Sequence, residues 1–123
     1  PPRPAYDDAL RHVAVSYRRI PQRLGELRGC LAEGHPFVFG FTVYENFFRG
    51  PGKQQTVVPM PAGQVLGGHA VMAVGYDDQR QTFLARNSWG VHQGDHGYFH
   101  MPYAYLTDPG LAADFWTVRT ISA

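Results

Sequence analysis

Residues Phe37-Val38-Phe39-Gly40-Phe41-Thr42-Val43-Tyr44 form a nearly continuous apolar run. Such a run predicts a strand covered on both faces, which demands a sheet around it and layers against that sheet. The rest of the chain has the composition to supply them. With 123 residues, 44% hydrophobic and 17% charged, it fits one globular, soluble domain. A domain of this size buries roughly 65% of the surface of its unfolded chain. Aromatics at 14% and fourteen glycines point to a strand-rich chain with many tight turns.

Several classes fall away on the same grounds. Eleven Lys and Arg against ten Asp and Glu leave a formal charge of +1. No basic footprint for nucleic acid or an anionic membrane surface results. Nothing approaches the run of about eighteen apolar residues that a spanning helix needs. The single Cys30 excludes an intrachain disulfide. The chain opens Pro1-Pro2-Arg3-Pro4, with neither the basic start nor the apolar run of a signal peptide. It also lacks an initiator Met, as a fragment or a processed product would.

Residues 12–20 alternate as a strand does, with Val13, Val15 and Tyr17 on one face, although 9–19 also fits a helix. Pro21 suits a first helical position, and Leu24, Leu27 and Leu31 mark the apolar stripe of an amphipathic helix. Gly34 and Pro36 end that helix. Residues 49–68 carry glycines and prolines around a short Thr56-Val57-Val58 and read mostly as loop. Runs at 69–76 and 82–88 flank the polar turn Asp77-Asp78-Gln79-Arg80-Gln81, a hairpin signal. A strand is expected over 97–101, a helical turn over 102–106 and a last strand over 114–121. The fold class is therefore α+β, dominated by an antiparallel sheet with one main helix.

The hairpin yields the sharpest chemical inference. His69 and Asn87 are equidistant from position 78, inside the turn. A turn centred there sets the two side chains opposite each other, with Cβ atoms ~5 Å apart. An amide oxygen accepting one ring N–H fixes the tautomer of the imidazole and leaves the other nitrogen for acid–base work. A structural polar pair at a strand end is the competing reading.

The residues around the pair carry a resemblance. Gly67-Gly68-His69-Ala70-Val71, Val74-Gly75-Tyr76, Arg86-Asn87-Ser88-Trp89-Gly90 and Gly97-Tyr98 occur in this order and spacing. They resemble the papain-like cysteine peptidases, particularly prokaryotic-looking members. The resemblance spans roughly residues 22–118 and is specific from 67 to 98. It implies the barrel-like, β-rich half of that fold as a single domain over 1–123. His69 would be the general acid–base and Asn87 its orienter, with Trp89 shielding their hydrogen bond from water. Gly68 and Ala70, and Gly40 by its distance from Pro36, would line the main specificity pocket. The implied partners are a peptide or protein substrate and the absent half of the enzyme; no cofactor or metal is implied.

Two departures qualify the resemblance. Gln93 stands where family members often carry a second Trp, before Gly94. More important, the catalytic Cys of this family precedes the His by ~130–150 residues, which puts it about 60–80 residues before Pro1. Cys30 does not replace it. The family's nucleophile opens a helix, where the dipole favours thiolate. Cys30 sits near the other end of the Leu24 to Leu31 helix, where the dipole opposes thiolate, and reads as an inert core residue.

Other signals carry less. His92, His96 and His100 recur every four residues, but Gly94 and Gly97 between them prevent one helical face, so no metal site is expected. Gly50-Pro51-Gly52-Lys53 lacks the frame of a phosphate loop. Ser88 lacks the Gly-x-Ser-x-Gly elbow, since Arg86 takes the first glycine position. The reading is thus the C-terminal portion of a papain-like peptidase with its nucleophile outside the chain. The rival is a non-catalytic pseudo-peptidase module for binding or scaffolding. On the first reading the cleft face should meet the missing half or self-associate, or the chain should be only marginally stable.

Overall fold

A computed structural model of the chain describes residues 13–50, 53–87 and 97–122. In chain order the elements are β1 (Val13–Arg19), α1 (Leu24–Ala32), β2 (Phe37–Tyr44), a 3₁₀ turn (Glu45–Phe47), β3 (Phe48–Gly50) and β4 (Lys53–Gln54). There follow β5 (Val65–Asp77), β6 (Thr82–Arg86), β7 (Tyr98–Pro102), α2 (Tyr103–Leu106) and β8 (Ala112–Ser122). Six strands form one antiparallel sheet in the order β1-β8-β2-β5-β6-β7, and β3 and β4 form a separate small hairpin. The expected α+β class, with an antiparallel sheet and one main helix, is what the chain adopts.

α1 begins at Leu24, three residues after Pro21, because Arg23 is still extended (φ −136°, ψ 141°). Leu27 and Cys30 are buried, and Leu24 and Leu31 pack on the core. The helix ends where Gly34 takes φ +88°, a value that L side chains rarely adopt. There the Gly34 N–H donates to the Leu31 carbonyl and the His35 N–H to that of Cys30.

The core lies on one face of the sheet. Phe37, Phe39, Phe41 and Val43 alternate inward from β2 and meet Val71, Ala73, Phe83, Ala85, Phe99 and Phe115. Phe39 stacks on Phe115 at 5.5 Å and 10°, and Phe37 meets Phe83 edge to face at 6.0 Å. The expectation that β2 is covered on both faces does not hold: Val38 is exposed and Gly40, Thr42 and Tyr44 are only partly buried. Within the described residues the apolar run has one covered face and one open one.

Two features around β5 also differ from expectation. The strand starts at Val65, four residues before His69, and its register on β2 shifts between Val43 and Tyr44. Gly67 meets that shift with φ +150°. Residues 49–68 thus hold β3, β4 and the start of β5 between stretches of loop. Phe39, 1% exposed at the centre of the aromatic cluster, gives a direct test of the core. Phe39→Ala should cost about 3–5 kcal/mol in equilibrium denaturation, and a loss under about 1 kcal/mol would contradict this packing.

Candidate active site

Two strands and the turn between them deliver His69 and Asn87. His69 lies opposite Phe41 in the β2–β5 ladder, and their rings meet edge to face at 5.8 Å and 73°. The turn is a four-residue loop, 78–81, closed by the pair Asp77↔Thr82. The Asp77 carboxylate accepts the Gln79 and Arg80 N–H groups at 3.0 and 3.2 Å. Gln81 completes the turn at φ +57°.

This geometry corrects the direct opposition expected of the pair. The loop centre lies beyond position 78, and a bulge between Ala73 and Gly75 takes back one residue of the shift. The ladder then runs Ala73↔Ala85 and Met72↔Arg86, which by continuation sets Asn87 against Val71. His69 and Asn87 are diagonal neighbours, two residues out of opposition. An even offset keeps both on one face, because side chains alternate with period two. Asn87 and Val71 are buried and His69 is half-buried, all on the core side.

The two side chains are hydrogen-bonded. Burial holds the His69 imidazole below the ordinary histidine range, and the bond to Asn87 pushes the other way. Burial is the larger effect. Asn87 is itself anchored twice: its N–H donates to the Gly97 carbonyl at 2.7 Å, and its side-chain Nδ2 donates to Gln54 Oε1. Gln54 is 5% exposed, at the end of β4. Nothing in the sequence signalled it, since it belongs to no motif and stands in a stretch read mostly as loop.

The other expected residues scatter more. Gly40 and Ala70 are direct partners across β2 and β5, and Gly68 opposes Thr42. All three lie on the outer face, away from the core. Ala70 lines an open apolar cleft with Val38, Met72, Arg86 and Asn87. Gly40 instead borders a shallow groove against residues 109–114, and Gly68 lines neither. A Cβ on Gly40 would meet nothing closer than 3.8 Å, so the backbone packing does not require glycine there. Trp89 lies outside the described residues, as do Ser88, His92, Gln93 and His96. The His100 ring approaches the Thr82 hydroxyl at 3.4 Å. Cys30 is buried in α1, with its thiol donating to the His35 carbonyl at 3.2 Å.

The cleft belongs to a larger surface. Arg19, Trp116, Val38, Met72, Arg86 and Tyr98 are successive register partners across all six strands. Trp116, Val38 and Met72 are each 37–40% exposed at the middle of this row. The Arg19 guanidinium lies 5.1 Å from the Trp116 ring centre. An apolar strip flanked by arginines therefore crosses the outer face, on the side of the sheet opposite the pair.

Comparison with known proteins agrees with this architecture. The family described as papain family cysteine protease matches residues 6–115. An uncharacterized peptidase C1-like protein of Acanthamoeba polyphaga mimivirus is 39% identical over 99% of this chain and 42% of its own length. A gut-specific cysteine proteinase of Caenorhabditis elegans is 31% identical over 72% of this chain and 27% of its own. Among solved structures, xylellain, a cysteine protease from Xylella fastidiosa, superposes with a TM-score of 0.81 at 45% identity. That match covers 86% of this chain and 40% of xylellain. The chain spans less than half the length of each of these relatives.

The opposing influences on His69 define a titration. By NMR of the 123-residue chain, its midpoint should fall below the ordinary value of about 6.5. Asn87→Ala, which removes the interaction favouring imidazolium, should lower it further. A midpoint above that value, or one indifferent to Asn87→Ala, would contradict the site as described.

Proposed function

The chain belongs to the papain family of cysteine proteases, and on that premise we propose that it is the His- and Asn-bearing portion of a peptidase using Cys-His-Asn chemistry. The nucleophilic Cys lies outside these 123 residues. One observation carries the proposal: the hydrogen-bonded His69–Asn87 pair, whose Asn87 also lines an apolar cleft.

The chemistry follows from what an oriented imidazole does. A thiolate attacks the scissile carbonyl carbon, and the carbonyl electrons move onto oxygen. As the tetrahedral species collapses, the C–N bond breaks and the His69 imidazolium gives its proton to the leaving amine. A thioester remains. Neutral His69 then takes a proton from water as that water attacks the thioester, and the acid leaves as the thiolate re-forms beside imidazolium. The cycle needs His69 in both protonation states. Burial disfavours the charged one, and the Asn87 oxygen offsets part of that cost. The oxyanion donors come from the missing portion, so this chain alone does not complete the reaction.

That portion would meet the exposed part of His69 and would also cover the outer face, on the other side of the sheet. The outer face carries the apolar strip through Trp116, Val38 and Met72, and it adjoins Ala70 at the cleft. With Trp89 as the shield of the pair, Ala70 in the cleft, and Gly40 and Gly68 as small residues on the same outer face, substrate side chains have room there. The action proposed is that of an endopeptidase. The specific alternative is a pseudo-peptidase that keeps the half-site for binding.

Three substitutions in the complete protein separate these readings. His69→Ala should lower kcat/KM by a hundredfold or more, about 2.7 kcal/mol, because acid and base are both lost. Asn87→Ala should cost less, since water replaces part of an orienter. Cys30→Ala should stay within a few-fold. Equal, small effects at His69 and Asn87 would make the pair structural, and a hundredfold loss at Cys30 would move the nucleophile into this chain. For the outer face, sedimentation of the 123-residue chain should show self-association; a dilution-resistant monomer would favour a self-sufficient module.

A further inference from the structure

We propose that Gln54 is a positioning residue that decides which way round the Asn87 amide faces His69, an inference that rests on the peptidase reading above. An asparagine amide has nearly the same shape after a half-turn, yet its two ends have opposite chemistry. With Oδ1 toward His69 it accepts a ring N–H. With Nδ2 toward His69 it offers a second donor, and the interaction that favours imidazolium is lost. Packing alone discriminates poorly between these states. A buried acceptor on the far side discriminates well.

Gln54 supplies that acceptor. Its Oε1 receives the Asn87 Nδ2–H, and both side chains are 5% exposed, so water does not substitute freely. A carbonyl oxygen cannot donate, so while Gln54 keeps Oε1 toward it a flipped Asn87 would set two oxygens against each other in a dry site, and only a joint turn of both amides would relieve them. The amide is thereby held with Oδ1 available to the imidazole.

The segment carrying Gln54 is built to keep it in place. Gln54 pairs with Phe48 in the β3–β4 hairpin, and the next N–H, of Gln55, donates to the Phe47 carbonyl at 3.0 Å. The Gln55 side chain donates to the Asn46 carbonyl at 2.8 Å. Asn46 in turn binds the Met60 carbonyl and the Ala62 N–H at 2.8 and 3.1 Å. Reciprocal bonds of 2.8 Å, Val58 N–H to the His100 carbonyl and His100 N–H to that of Thr56, stitch the segment to β7. β7 is the neighbour of β6, the strand that leads into Asn87. A stretch with little regular structure is thus tied, through β7, to the strand that leads into the side chain it orients.

The test uses the complete protein that carries this chain, with Gln54→Met, which keeps length and loses the acceptor, and Gln54→Glu, which keeps an acceptor. Gln54→Met should lower kcat/KM about tenfold in the native background and less than twofold on top of Asn87→Ala. An equal loss in both backgrounds would mean a general packing role and overturn the proposal. The second readout does not depend on turnover. The NMR midpoint of His69 should fall in Gln54→Met to the value seen in Asn87→Ala, and should stay at or above the native value in Gln54→Glu. If Gln54→Met does not fold, Gln54→Glu decides alone, and a fall of its midpoint toward the Asn87→Ala value overturns the proposal. A native protein without peptidase activity would remove the peptidase reading, while the titration would still decide whether Gln54 orients Asn87.

Discussion

Burial of the β2 phenylalanines is the constraint from which the site follows. Phe37, Phe39 and Phe41 are each under 5% exposed, and a fully buried side chain of this kind contributes about 1.5–3 kcal/mol over an exposed one. A one-residue slip between β2 and β5 would bring Gly68, Ala70 and Met72 to the core and turn His69, Val71 and Ala73 outward. The pairing of Phe41 with His69 is therefore a consequence of core packing. The histidine needs no device of its own to face the aromatic cluster, and that cluster is also what desolvates it.

The same economy explains the Asn87 contact. A bulge after Ala73 and a four-residue loop displace the β5–β6 ladder by an even number, so the pair stays on one face though no longer in opposition. Diagonal neighbours sit farther apart than opposed ones, roughly 7–8 Å, and the reach of the imidazole ring lets it still meet the Asn87 amide. Gln54 on the far side of the amide completes a short chain of polar groups from a separate hairpin through Asn87 to His69. Each member is buried or half-buried, which makes an unsatisfied one costly and the chain specific.

Much of this was legible in the residues. Alternation and punctuation placed most strands and the main helix, since period-two burial and a glycine with positive φ leave local marks. The motifs around His69 and Asn87 pointed to the family to which the chain belongs. Three things were not legible, each for a physical reason. Coverage of the second face of β2 depends on what packs there, and the apolar run Phe37–Tyr44 reads alike whether that cover is its own chain or another segment. Loop length and a bulge decide register, and Asp77 and Gln81 do not announce either. Gln54 acquires its role only when β4 is stitched to β7, a long-range event with no periodic signature. Gly40, Gly68 and Ala70 lie on one outer face, and among the described residues Ala70 is the one of the three that lines the cleft.

The central claim is that this half-site serves a thiol lying outside the chain. Covalent trapping reads it directly: the complete protein is treated with a peptide electrophile that captures activated thiols, and the modified residue is located by mass spectrometry. The account predicts a single labelled cysteine upstream of Pro1, trapped at a rate that drops sharply in His69→Ala. Labelling of Cys30, or labelling indifferent to His69, would contradict it.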